Sequence, residues 1–143
     1  MSNRVASILP HKRGVVWSVG SETSVNEAIR LMAEKDIGFL PIITDGQLRG
    51  VLSERDIARK VVMDNRSANQ TAVAEIMSKN VIVTSTADTL EEAMLLMSEH
   101  HIRHLPVVEG DKIVGVISMG DVVRAILGSR QETISFLAEL ALD

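Results

Sequence analysis

The chain has no cysteine, no tyrosine, one tryptophan and two phenylalanines among its 143 residues. Without cysteine there is no disulfide framework, no thiolate nucleophile and no cysteine-held zinc site. Aromatics make up 2% of the chain (Trp17, Phe39 and Phe136), so the stacking platforms that hold single-stranded nucleic acid are nearly unavailable. A ligand ring would have to lie between aliphatic side chains. A basic excess is missing too: the formal net charge is −4, which argues against nucleic acid as a partner. No apolar run approaches the ~20 residues needed to cross a bilayer. The opening Met1-Ser2-Asn3-Arg4 lacks the apolar stretch of a signal peptide. Together these absences lead us to expect a cytoplasmic protein with no membrane and no nucleic-acid partner.

What is present is an ordinary globular composition, 45% hydrophobic and 24% charged, sufficient for one compact domain or two small halves sharing a core. It is also a repeat. At an offset of 65 residues, as from Glu27 to Glu92, residues Val16 to Val62 lie over Val81 to Leu127 without a gap. Identical pairs include Ala28/Ala93, Leu31/Leu96, Met32/Met97, Ile37/Ile102, Pro41/Pro106, Gly50/Gly115, Ser53/Ser118 and Asp56/Asp121. Two copies are too few for a solenoid, so a twofold-related pair sharing one core is expected.

Each copy reads as the same series of elements. Ser24 with Glu27, and Thr89 with Glu92, have the S/T-x-x-E spacing of a capping box and mark helix starts. Behind them Val25, Ala28, Ile29 and Met32 share one helical face, as do Leu90, Ala93, Met94 and Met97. These helices should run to about Asp36 and His101. Hairpins follow: Phe39–Ile43 and Leu48–Ser53 around Asp45-Gly46, then Leu105–Val108 and Ile113–Ser118 around Gly110-Asp111. Pro41 and Pro106 suit an edge or first-residue position, since proline donates nothing to a ladder. A second helix is expected to start near Asp56 and near Asp121, where an acidic residue favours the helix N-terminus. Val15 to Val19 and Val81 to Thr84 read as the strands leading in, and Val5–Leu9 echoes Val73–Met77. Arg130 to Leu142 reads as a separate amphipathic helix, with Ile134, Leu137, Ala138 and Ala141 on one stripe.

This order resembles the CBS-domain family, in which two tandem β-α-β-β-α motifs pack as a pseudo-twofold pair, often called a Bateman module. Four stretches carry the resemblance: Thr-Ser-Val-Asn-Glu-Ala (23–28), Ile-Arg-His-Leu-Pro-Val (102–107), Gly50-Val-Leu-Ser-Glu-Arg-Asp56 and Gly115-Val-Ile-Ser-Met-Gly-Asp121. It implies an α+β (mixed α/β) fold of a stand-alone bacterial type. The linker segment would be 1–15, motif 1 would be 16–66, the connecting segment 67–80, motif 2 81–128 and the C-terminal helix 129–143. It further implies a non-enzymatic regulatory module for energy or redox sensing that binds an adenosine-containing small molecule in a cleft between the motifs. AMP leads that class, with ADP, ATP, NAD, NADH and S-adenosylmethionine as other members. A homodimer and a regulated partner protein of unknown identity are expected to pass the signal on. A scaffold whose clefts hold no ligand is the alternative.

The resemblance also assigns residues. Asp56 and Asp121 would take ribose hydroxyls, and Ser53 and Ser118 would approach the phosphate. A carboxylate accepts both bonds of a cis-diol, which suits the role. The same serines also read simply as helix caps. Arg103 and His104, just before Leu-Pro in the second copy, would supply phosphate contacts to the cleft of Asp56, where Arg55 also lies. The first copy has Gly38 and Phe39 at those positions, which cannot neutralise a phosphate. The Asp56 cleft is therefore expected to bind phosphate better than the Asp121 cleft. Arg103 reads alternatively as a solvated strand-end charge.

Other constellations are weaker. The resemblance implies a linker near the cleft, where Lys12-Arg13-Gly14 would reach a phosphate; by itself the stretch reads equally as a plain surface turn. His100, His101 and His104 cluster in sequence, but the change from helix to strand across Ile102 to Val107 breaks the i, i+4 spacing, and no metal site is expected. No Ser–His–acid order, Walker loop or dinucleotide glycine fingerprint is present, so no catalytic residue is assigned. The seven methionines fall mainly at core-facing helical positions and serve packing.

Overall fold

The computed structural model describes residues 3–9 and 16–128, so the C-terminal helix expected over 129–143 lies outside the described residues. The fold is α+β, with short helices and two small sheets. The chain forms two compact units. One spans Val16–Val81, and the other combines the described parts of Met1–Val15 and Ile82–Asp143.

In the unit Val16–Val81, helix α1 (Val25–Lys35) leads to strand β1 (Phe39–Thr44), strand β2 (Gln47–Ser53) and helix α2 (Glu54–Ile57). Ser24 starts α1 by accepting the Glu27 N–H at 3.2 Å, and Asp36 ends it in the left-handed conformation. The two strands pair antiparallel from Phe39↔Ser53 to Thr44↔Gln47. They are joined by Asp45-Gly46, whose φ values of 55° and 75° are the type I′ pattern that matches strand twist. Val25, Ala28, Met32, Leu40, Ile42, Leu52, Val61, Val73 and Ile76 are buried together.

The other unit repeats the pattern with strand β3 (Thr84–Ser85), helix α3 (Leu90–His100), strands β4 (His104–Glu109) and β5 (Lys112–Ser118), and helix α4 (Met119–Leu127). Both halves of the Thr89–Glu92 capping box form, and His101 ends α3 in the left-handed conformation. The sheet order is β3-β4-β5. Its core gathers Val5, Leu90, Ala93, Met97, Leu105, Val107, Ile117 and Val122.

Two expectations are corrected. The leading strands are shorter than expected: Val19 makes a single parallel bridge with Ile42, and β3 is two residues long. Pro41 and Pro106 stand third in β1 and β4 rather than first; β1 is an edge strand of its two-stranded sheet, as expected for Pro41, whereas β4 is central in its sheet. One cause explains both. Val19 N–H donates to the Pro41 carbonyl at 3.4 Å and Ile43 N–H to the Val19 carbonyl at 2.9 Å, so the Pro41 backbone faces the parallel neighbour. With no N–H on the proline, that ladder has nothing to continue with and stops there.

The segment preceding each copy packs with the other copy. Val73 and Ile76 are buried in the unit of the first copy, and Val5 in the unit of the second. These segments satisfy N–H groups that a helix start leaves orphaned. Val25 N–H donates to the Thr71 carbonyl at 2.8 Å, and Leu90 N–H to the Asn3 carbonyl at 2.7 Å. Among the described residues, no helix is long and apolar enough to cross a membrane.

Candidate functional site

Both second helices begin two residues before the aspartates that were expected to mark them. Ser53 and Ser118 are the N-caps, and Asp56 and Asp121 are the third helical residues, closing a capping box in each copy. Ser53 Oγ accepts the Asp56 N–H at 3.1 Å and Ser118 Oγ accepts the Asp121 N–H at 3.1 Å. In return Ser53 N–H donates to Asp56 Oδ2 at 3.0 Å, and Ser118 N–H to Asp121 Oδ2 at 2.9 Å. The capping reading of these serines therefore holds. It leaves each carboxylate's second oxygen, Oδ1, directed at other partners.

Those partners differ between copies. Asp56 Oδ1 accepts from Ser78 Oγ at 3.4 Å and pairs with Lys60 Nζ at 3.3 Å, and the Asp56 side chain is only 14% exposed. Lys60 Nζ also donates to the Ile76 carbonyl at 2.9 Å, joining the carboxylate to the segment around Ile76–Ser78. Asp121 Oδ1 instead accepts from Arg124 Nη2 at 2.7 Å, with side-chain exposures of 41% and 74%. The helices diverge as well. α2 passes into a π-helical turn over Ala58–Val62, whereas α4 runs through nine residues.

The remaining candidates sort by unit. Gly38 gives its carbonyl to Glu54 N–H at 3.1 Å, Phe39 is the register partner of Ser53, and Arg55 is exposed in α2. These three stand with Ser53 and Asp56. In the other unit the Arg103 carbonyl accepts from Met119 N–H at 2.8 Å, and His104 is the register partner of Ser118. Arg103 and His104 thus stand with Ser118 and Asp121. Lys12, Arg13 and His11 lie outside the described residues. His100 ends α3, His101 is left-handed and His104 opens β4, so the three histidines do not share a helical face. No cluster of three or more metal-ligating side chains exists among the described residues.

Three residues at these carboxylates escaped the sequence reading: Lys60, Ser78 and Arg124. Two had a usable signal. Asp56 to Lys60 is an i, i+4 pair and Asp121 to Arg124 an i, i+3 pair, both spacings that bring opposite charges together on a helix. Ser78 had none, because it reaches Asp56 across 22 residues of sequence.

The model of the CBS domain family matches residues 5–63 and 73–128. A mitochondrial CBS domain-containing protein of Arabidopsis thaliana, CBSX3, is 35% identical over 127 residues. That match covers 85% of this chain and 61% of the relative's length, so the chain spans about three fifths of that protein. Among solved structures, a protein with CBS domains from Burkholderia ambifaria MC40-6 superposes with a TM-score of 0.83 at 39% identity, covering 89% of this chain and 93% of that one. The CBS domain pair of protein MJ0100, solved in complex with 5′-methylthioadenosine and S-adenosyl-L-methionine, superposes with a TM-score of 0.79 at 26% identity, covering 91% of this chain and 100% of that one.

Proposed function

Because this chain belongs to the CBS-domain family, and is a CBS-pair regulatory module, we propose that it binds an adenosine-containing ligand and reports occupancy without catalysing a reaction. One observation carries the reading: the pair of MJ0100, similar over 91% of this chain, is in complex with two adenosine compounds. Residues suited to such a ligand stand at corresponding places in both copies, a capping serine followed by an aspartate whose outer oxygen accepts hydrogen bonds. AMP is the proposed first ligand, and ADP, ATP, NAD, NADH and S-adenosylmethionine complete the class. Asp56 and Asp121 would hold ribose hydroxyls, and Ser53 and Ser118 would approach phosphate. Arg55, Arg103 and His104 would neutralise the phosphate, whereas Gly38 and Phe39, at the repeat positions of Arg103 and His104, bring no charge to it. The proposed route of output is a homodimer or a regulated partner protein in the cytoplasm.

A thermal-shift panel of AMP, ADP, ATP, NAD, NADH and S-adenosylmethionine tests this. A true ligand at a hundredfold excess over Kd stabilises by about 2.7 kcal/mol, a Tm rise on the order of 5–10 °C for a chain of this size. A flat response across the panel would leave a ligand-free interaction scaffold as the better reading. Breakdown of a ligand, followed by chromatography, would point to an enzyme.

A further inference from the structure

The Asp56 carboxylate is already fully engaged. Oδ2 takes Ser53 N–H at 3.0 Å and Ser53 O–H at 3.1 Å, while Oδ1 takes Ser78 O–H at 3.4 Å and Lys60 Nζ at 3.3 Å. A carboxylate offers about four lone-pair positions, so these donors saturate it. A ribose cis-diol brings two more O–H donors and must displace two of those present. The two on Oδ2 come from Ser53, which the capping box holds in place three residues away. The two on Oδ1 are the longest of the set, and both lead to the connector between the copies. Ser78 belongs to that connector, and Lys60 is anchored to it through the Ile76 carbonyl at 2.9 Å.

We propose that Asp56 Oδ1 is a latch shared between the connector and the ligand. Ribose hydroxyls that engage Asp56 displace Ser78 and Lys60, and the loosened connector around Ile76–Ser78 carries the report of occupancy. This rests on the nucleotide reading above and adds its route of output. The exchange of one set of hydrogen bonds for another gives the ligand differential affinity for latched and unlatched states, which any ligand-driven shift requires. The segment has something to lose. Ser78 bridges β2 through Ser78 N–H to the Val51 carbonyl at 2.9 Å and Val51 N–H to the Ser78 carbonyl at 3.0 Å. The device belongs to the first copy. In the second, Ala125 stands at the repeat position of Lys60, and Asp121 Oδ1 pairs within its own helix with Arg124.

Hydrogen exchange read by mass spectrometry on the full chain, with and without saturating AMP or S-adenosylmethionine, tests the latch together with Lys60→Met and Ser78→Ala variants. Ligand should raise exchange severalfold at the Met77 and Ser78 amides. Either variant should show raised exchange without ligand. Each should also bind AMP roughly three- to tenfold more tightly, a modest gain because Lys60 is 42% exposed and its pairing is screened. Should Lys60→Met fail to fold, Ser78→Ala carries the same test. Ligand binding with no change in exchange at the connector, or weaker binding by the folded variants, would overturn the latch alone. Absence of binding by the wild type to every compound of the thermal-shift panel would overturn the nucleotide reading and the latch with it.

Discussion

A β-carbon placed on Gly50 of β2 would stand 2.8 Å from the carbonyl oxygen of Ser78, closer than backbone atoms tolerate. The repeat partner Gly115 faces a softer neighbour, the Leu9 Cδ2 methyl at 2.8 Å. Both glycines admit the segment that precedes the other copy, but only the first meets backbone. Gly50→Ala should therefore cost about 2–3 kcal/mol and Gly115→Ala about 1 kcal/mol, since a leucine end can turn aside. Urea denaturation of the two variants would show the ranking, and equal losses would refute it.

Gly46 is required for a different reason. Nothing lies within 4 Å of a β-carbon there, but its φ of +75° is strained for any side chain. Gly46→Ala should lose about 1 kcal/mol. Gly46→Asn should lose less, because asparagine tolerates the left-handed region. Thermal unfolding of the two variants measures the difference.

The two capping serines should differ in weight. Ser118 Oγ accepts from Asp121 N–H, whereas Ser53 Oγ both accepts from Asp56 N–H and donates to Asp56 Oδ2 at 3.1 Å. Ser118→Ala is expected to cost about 1 kcal/mol and Ser53→Ala closer to 2 kcal/mol. Chemical denaturation that ranked them the other way would show that the extra Ser53 bond adds nothing.

Ligand affinity should separate the proposed phosphate contacts from the proposed diol contacts. Arg103→Ala is expected to weaken AMP binding roughly 10- to 100-fold, the worth of a charge-assisted hydrogen bond. It should leave binding of adenosine, which has no phosphate, nearly unchanged. Asp121→Ala should cost AMP less than Arg103→Ala does. Calorimetric titration decides, and a larger loss from Asp121→Ala would reverse the proposed assignment of the two positions.

Much of the fold was legible because its signals are local. The capping pairs Ser24–Glu27 and Thr89–Glu92, the helix ends at Asp36 and His101, and the turns at Asp45-Gly46 and Gly110-Asp111 each depend on residues a few positions apart. The length of the leading strands was not legible locally, because it is set by Pro41 and Pro106, more than 20 residues away, which stop the parallel ladder. At the candidate site, Ser53, Asp56, Ser118 and Asp121 were legible through the repeat. Lys60 and Arg124 stand at the helix spacings that pair them with those aspartates, whereas Ser78 has no local signal.

By itself, the sequence determined the repeat, its element order and the family, since two copies in register, Val16 to Val62 and Val81 to Leu127, constrain one another. Only the tertiary structure decided which segment packs with which copy, and therefore why Gly50 and Gly115 are glycine. It also decided that Asp56 and Asp121, identical in sequence, stand in different company. The physical reason is distance along the chain. Capping and turns are settled within a few residues, whereas the partners of Asp56 Oδ1 come from one turn onward in its own helix and from a connector 22 residues away.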